Sequence, residues 1–336
     1  MSNLDSHPME MDCRPEPAFE PGSDDLTVEV ITARDVPLGG PRAMTVHRTL
    51  PQRRRSLIGA WCFVDHYGPD DVSDTGGMDV PPHPHTGLQT VSWLFTGEIE
   101  HRDTLGNHAM VRPGELNLMT AGHGIAHTEV STPDTTTLHG VQLWVALPAG
   151  SADTARDFTH YAPSEIHREG VCARVFLGEL LGDRSPVTTF TALLGAEIIL
   201  DPDASIELDV NPTFEHGILV DHGVVGIENS ATPPLNRTEL AYIGVGARTI
   251  TLRNHSPDDI ARVVLLGGEP FAEEIIMWWN FVGRTHEEIV GFRDEWMAHS
   301  DRFGQVHGYV GDVQHLPAPA LPNTTLRPRH NEPGRA

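Results

Sequence analysis

The sequence predicts an all-β chain of two β-barrels in tandem, with one short helix near the C-terminal end. Three observations carry this. Short apolar runs separated by Gly, Pro, Asn and Asp turns fill most of the 336 residues, the pattern of a sandwich or barrel. Long helical periodicity is nearly absent. A strand pair joined by a Gly-bearing turn occurs twice, at Leu94-Phe95-Thr96-Gly97-Glu98-Ile99 and at Leu219-Val220-Asp221-His222-Gly223-Val224. A turn that precedes a strand likewise recurs, as Arg112-Pro113-Gly114-Glu115 and Gly244-Val245-Gly246-Ala247.

Taken in chain order, residues 1–26 are rich in Pro, Asp and Glu and are expected to be a disordered tail. Residues 27–180 form the first barrel, with strong β-branched and aromatic strands at 88–94 and 140–147. The junction falls near residues 175–190. Residues 181–312 form the second barrel, with strands expected at 196–200, 217–220, 224–228, 241–245, 249–253 and 262–266. The helix begins at Thr285, where Thr285 and Glu288 make a capping box; Ile289, Phe292 and Trp296 then share one face at helical spacing. Residues 313–336 are a Pro-rich tail, either loose or draped on the surface.

Composition excludes several functions. The net charge of -24 argues against direct nucleic-acid binding, which needs a basic patch to displace counterions. Arg53-Arg54-Arg55 is the densest basic cluster and reads as a solvated loop. No apolar run is long enough to cross a bilayer, so no membrane role is expected. The acidic N-terminal stretch lacks the basic and apolar regions of a signal peptide, and a cytoplasmic location is expected. Cys13, Cys62 and Cys172 are widely spaced and form no CxxC pair; Cys62 and Cys172 read as small core residues.

The chemistry lies between Pro81 and Glu129. In an extended segment, residues i and i+2 point to the same side, so His83 and His85 can aim two imidazoles at one point. His127 and Glu129 add an imidazole and a carboxylate by the same geometry. Three His nitrogens and one Glu oxygen suit Fe(II), Mn(II), Ni(II), Cu(II) or Zn(II), and leave open positions for water, substrate or dioxygen. In a chain with 20 histidines one H-x-H pair means little, but two pairs in phase are far less accidental.

The spacing from His83-Pro84-His85 through Gly97 and Arg112-Pro113-Gly114 to His127 resembles the two motifs of the cupin superfamily. More narrowly, HPHTGLQTVSWLFTGEIEHRDTLGN, MVRPGELNLMTAGHGIAHTE and HGVQLWVALP resemble the signature run of the pirin family. LIGAWCFVDHYGP at 57–69, Leu266-Gly267-Gly268-Glu269-Pro270 and Asn280-Phe281-Val282 are similar to pirins as well. The resemblance spans residues 27–300 and implies a bicupin fold of jelly-roll-like barrels. It implies one metal ion, with iron the usual one, held by His83, His85, His127 and Glu129. It further implies a monomer and a second barrel without metal ligands, in which Glu215, His216 and His222 read as surface or turn residues.

Some pirin-like proteins are quercetin 2,3-dioxygenases, so the resemblance implies an oxidoreductase that uses O2 to open an aromatic or enolisable substrate such as a flavonol. The alternative it carries is a non-catalytic regulatory or redox-sensing protein that acts through a protein partner. Many pirins have Glu at the position of Gln89, and Gln89 cannot take a proton. His123 stands where pirins often have Arg. Glu129 and His123 are therefore the candidates for the catalytic base, and Thr86, Leu88, Trp93, Met119 and Ile125 are candidate pocket neighbours that also fit ordinary barrel packing.

Overall fold

The computed structural model of the chain describes residues 17–20, 25–37, 44–52 and 54–328. Residues 1–16 with Cys13, Arg53 of the arginine cluster, and residues 329–336 lie outside the described residues. No helix among the described residues is long and apolar enough to cross a membrane.

Each barrel is a seven-stranded sheet curled against a smaller one. In the first, the large sheet runs in the order Asp157–Tyr161, Leu116–Thr120, Leu88–Thr96, Thr137–Ala146, Trp61–Asp71, Thr45–Leu50, Arg34–Pro37. The four-stranded sheet that faces it runs Asp79–His85, Ile125–Ser131, Ile99–Asp103, His108–Val111. In the second barrel, Val28–Thr32, Glu239–Ile243, Glu215–His222, Ala261–Gly268, Leu193–Leu200, Val171–Leu177 and Ile166–Arg168 form the large sheet. Ser205–Asp209, Thr249–Asn254 and Val225–Ile227 close it. The expected strands are thus all present, with ends that drift by a few residues.

The two large sheets stack back to back. Val91, Trp93, Val141 and Leu143 of the first interleave with Leu219, Tyr242, Val264 and Leu266 of the second in one buried cluster. A strand covered on both faces needs apolar residues at consecutive positions, which is why 140–147 reads as a hydrophobic run interrupted by Gln142 alone and not as a clean alternation. Membership of the sheets crosses the sequence division at both ends. Val28–Thr32 pairs with Glu239–Ile243, and Val171–Leu177 pairs with Leu193–Leu200, so both belong to the second barrel. Ala18 and Leu26, from the acidic N-terminal segment, are buried in the second barrel's core.

The helix spans His286–Met297 with the expected capping box: Glu288 N donates to Thr285 Oγ1 and Thr285 N donates to Glu288 Oε2. Ile289 and Trp296 are buried and Phe292 packs beside them. This helix returns to the first barrel. With Trp278, Trp279, Phe281, Phe303, Ala318 and Leu326 it forms a cluster that includes Ala126 of the small sheet. The Pro-rich segment is accordingly draped along its described length, where Trp296 Nε1 donates to Leu316 O and Leu316 N donates to Pro82 O.

Candidate metal centre

Asp79–His85 carries prolines at 81, 82 and 84, which no central strand tolerates because each removes a ladder donor. It accordingly lies at the edge of its sheet, antiparallel to Ile125–Ser131 with His127 opposite His83 and Ile125 opposite His85. A bulge between His127 and Glu129 sets Glu129 opposite Val80. Gly87, at φ +68°, then turns the chain; a Cβ there would sit 2.4 Å from Val282 O.

This pairing brings one nitrogen each of His83, His85 and His127 within 4.8 Å of one another. All three side chains are buried. Burial holds the His83 imidazole down to about 3, and burial with mutual repulsion holds His85 and His127 well below the usual histidine range. The rings are therefore neutral at pH 7, the form that binds metal.

Two observations fit a metal ion. His83 Nδ1 lies 2.8 Å from Pro81 O, an acceptor only, so that nitrogen carries the hydrogen. His83 Nε2 is then a bare lone pair, buried and without a hydrogen-bond partner. Second, His85 Nε2 and His127 Nε2 stand 3.1 Å apart. Two nitrogens bound at about 2.1 Å to one ion lie about 3.0 Å apart at a right angle and about 3.4 Å at the tetrahedral angle, so the spacing suits either geometry.

Glu129 lies outside that mutual distance. It is buried, and Ser92 Oγ, 3.2 Å from Glu129 Oε1 and 3.0 Å from Gln142 Oε1, stands between the two side chains. His123 is engaged elsewhere: Nδ1 is 3.3 Å from Thr154 O and Nε2 is 3.2 Å from an Arg156 guanidinium nitrogen, so its lone pair is committed. Gln89 is on the far face of its strand. The register there is unbroken, so Gln89 sides with Val91 and Trp93 against the second barrel, and donates to Thr120 Oγ1 at 2.9 Å. The residues on the inner face are Leu88, Thr90 and Ser92. Trp93, a candidate pocket neighbour, packs instead on Phe176 at 4.6 Å. Leu88, Met119 and Ile125 cluster with Phe63 and Trp144, and the Trp144 ring stands edge-on to His85 at 5.2 Å.

Sequence reasoning missed His101. Its Nδ1 lies 3.3 Å from His127 Nδ1, and its Nε2 lies 3.3 Å from Asp103 Oδ2. The pattern His101-Arg102-Asp103 is another i, i+2 pair on a strand adjacent to His127, and that phase was the available signal.

A second cluster joins the barrels. His66 Nε2 and His139 Nε2 both donate to Asp221 Oδ1, at 2.6 and 2.5 Å, and Arg262 donates to Oδ2 at 3.0 Å. Those nitrogen–oxygen distances are shorter than the roughly 2.8–3.4 Å between two ligands of one ion. At those distances the cluster is a hydrogen-bonded clamp, with His66 Nδ1 left buried and unpaired. Glu215 and His216, expected at the surface, are instead buried. Glu215 accepts from Gly59 N at 2.7 Å and from Tyr242 Oη at 2.8 Å, a second link between barrels. His216 has neither ring nitrogen paired. Cys62 is buried, whereas Cys172 is only partly so.

Comparison with known proteins agrees with this architecture. The pirin family model matches residues 43–145, and the model of the pirin C-terminal cupin domain matches residues 195–304. A Pseudomonas aeruginosa protein provisionally named a quercetin 2,3-dioxygenase is 44% identical over 87% of this chain and 90% of its own. A pirin-like protein of Caulobacter vibrioides is 32% identical over 80% of this chain and 92% of its own. Among solved structures, a quercetin 2,3-dioxygenase of Acinetobacter baumannii superposes with a TM-score of 0.83 at 37% identity, covering 90% of this chain and 97% of that one.

Proposed function

The chain belongs to the pirin family of two-barrel cupins, and on that premise we propose that it is a metal-dependent dioxygenase that opens the ring of an aromatic, enolisable substrate such as the flavonol quercetin. His83, His85, His127 and Glu129 hold one divalent ion, with iron first and Mn, Ni, Cu or Zn as the alternatives that N/O ligands accept. The observation that carries the reading is the buried, unpartnered His83 Nε2 within 4.8 Å of His85 and His127, whose Nε2 atoms stand 3.1 Å from each other. When bound, the ion supplies positive charge that favours an anionic substrate oxygen and a site for dioxygen.

The chain's own residues do the rest. Glu129, set outside the three-histidine cluster with Ser92 on its Oε1, is the loosely held member of the set, and its carboxylate takes the substrate hydroxyl proton because Gln89 points away and the His123 lone pair is occupied. Ser92 Oγ, between Glu129 and Gln142, holds that carboxylate in place. Phe63 and Trp144, stacked with centroids 4.0 Å apart, and Met119 and Ile125 beside them form a buried apolar cluster against His85 that keeps water from that side of the histidines. The relatives named as quercetin dioxygenases support the substrate class. Oxygen uptake with quercetin is the test, on protein loaded anaerobically with Fe(II) beside its His83→Ala variant. Uptake with carbon monoxide release that vanishes in the variant is expected; no uptake by metal-loaded protein would refute the dioxygenase reading.

A further inference from the structure

His101 and Asp103 have no place in the ligand set, yet they are built as a unit. Asp103 is buried and held by four donors: Leu105 N at 2.9 Å and Asn107 N at 3.1 Å on Oδ1, and Asn107 Nδ2 at 2.8 Å and His101 Nε2 at 3.3 Å on Oδ2. Its position does not depend on His101. The His101 ring in turn stacks on Phe158 with centroids 4.8 Å apart, and its second nitrogen faces His127 Nδ1 at 3.3 Å. The pairing of Asp103 with His127 across the ladder sets this register.

We propose that Asp103 and His101 are positioning residues that hold the His127 hydrogen on Nδ1 and so keep its Nε2 as a metal-binding lone pair. A carboxylate can only accept, so His101 in its neutral form keeps its hydrogen on Nε2 and presents Nδ1 as an acceptor. That acceptor fixes the His127 hydrogen on Nδ1. His127 Nε2, on the far side of the ring, is left bare and directed at His85 Nε2. The first pair's His83 reaches the same tautomer through a backbone carbonyl, Pro81 O, which needs no relay. The two strands thus arrive at equivalent Nε2 donors by different means, and only the His127 side relies on a side chain that substitution can remove. Partners one shell out from a metal contribute about 10–100-fold in affinity.

The inference rests on the reading of His127 as a ligand, so the test has one arm that does not. In metal-free protein, long-range proton–nitrogen NMR of 15N-labelled histidines reports which His127 nitrogen bears the hydrogen. Two variants separate a relay from packing. His101→Phe keeps the stack on Phe158 and loses the acceptor; His101→Gln loses the stack and keeps an acceptor and a donor. The relay predicts a pure Nδ1–H tautomer in the wild type and in His101→Gln, and a mixture in His101→Phe. Zn(II) affinity, measured by chelator competition, is expected to fall 10–100-fold in His101→Phe and to be largely restored in His101→Gln. Wild-type affinity and tautomer in His101→Phe, or an Nε2–H tautomer in the wild type, would overturn the proposal. Zn(II) binding that survives His127→Ala would instead overturn the ligand reading, and the metal-free tautomer would still decide the relay.

Discussion

Removing one charge between the barrels gives a sharp test of what holds them together. Asp221 has no exposed surface and accepts from His66, His139 and Arg262, with the two histidines contributed by the first barrel. Asp221→Asn keeps the shape but turns one acceptor oxygen into a donor. Hydrogen bonds to a charged group are worth about 1.5–3 kcal/mol each, and the remaining amide oxygen recovers part of the two histidine bonds. Arg262 keeps Glu197 at 3.2 Å, which limits the loss on that side. The expected cost is about 3 kcal/mol, at the lower edge of the range for breaking a buried pair. For a chain of this size that corresponds to a fall in Tm of roughly 4 °C. The sign of the pH dependence follows from Asp221, held below the usual carboxylate range by its histidine partners against the opposing effect of burial. A lowered carboxylate pKa contributes stability above the unfolded value and loses it as pH falls. The carboxylate's share of the difference between wild type and variant should be lost below about pH 4, and because Asp221 also raises the pKa of buried His66, the difference should not shrink as pH falls from about 8 to about 5. Thermal unfolding followed by circular dichroism across that range is the assay. A Tm unchanged at pH 7 would mean that the clamp contributes nothing and that apolar contacts alone join the barrels.

Two further outcomes follow from buried groups. His216 is held down to about 4 by burial, so in the wild type it costs about 3 kcal/mol of stability as pH falls from 6.5 to about 4. His216→Leu should therefore be at least as stable as the wild type at pH 7, because both buried ring nitrogens lack partners, and should lose less on going to pH 4.5 in urea unfolding; an equal acid loss in both would refute this. Gly87→Ala combines a positive φ with a Cβ 2.4 Å from Val282 O, and should cost at least about 2 kcal/mol in the same assay. Wild-type stability there would mean that the contact between the turn and 281–283 is looser than the structure has it.

The histidine cluster was legible because strand geometry has a period of two, so His83 and His85 share a side and meet His127 across the ladder, whereas Glu129, beyond a bulge, lies outside the cluster. The same period could have pointed to His101 and Asp103, but a lone H-x-D carries no sign of which strand it will face. The face of Gln89 was not legible. It depends on where the strand begins after Gly87, and a shift of one residue moves every side chain to the other side. The clamp was beyond reach for another reason: His66, His139 and Asp221 come from three strands and two barrels, so no spacing links them. Strand membership at 28–32 and 171–177 is likewise decided by long-range pairing, to which local propensity is blind. The helix was readable to its first residue because its cap is local.

The central claim is that one ion sits among His83, His85 and His127. Crystals of Fe(II)-loaded protein, with diffraction recorded on both sides of the iron absorption edge, test it most directly. A single anomalous peak is expected about 2.0–2.2 Å from the three Nε2 atoms, with nothing at the His66–His139–Asp221 clamp. A peak at the clamp, or none among the three histidines in protein that carries stoichiometric iron, would contradict it.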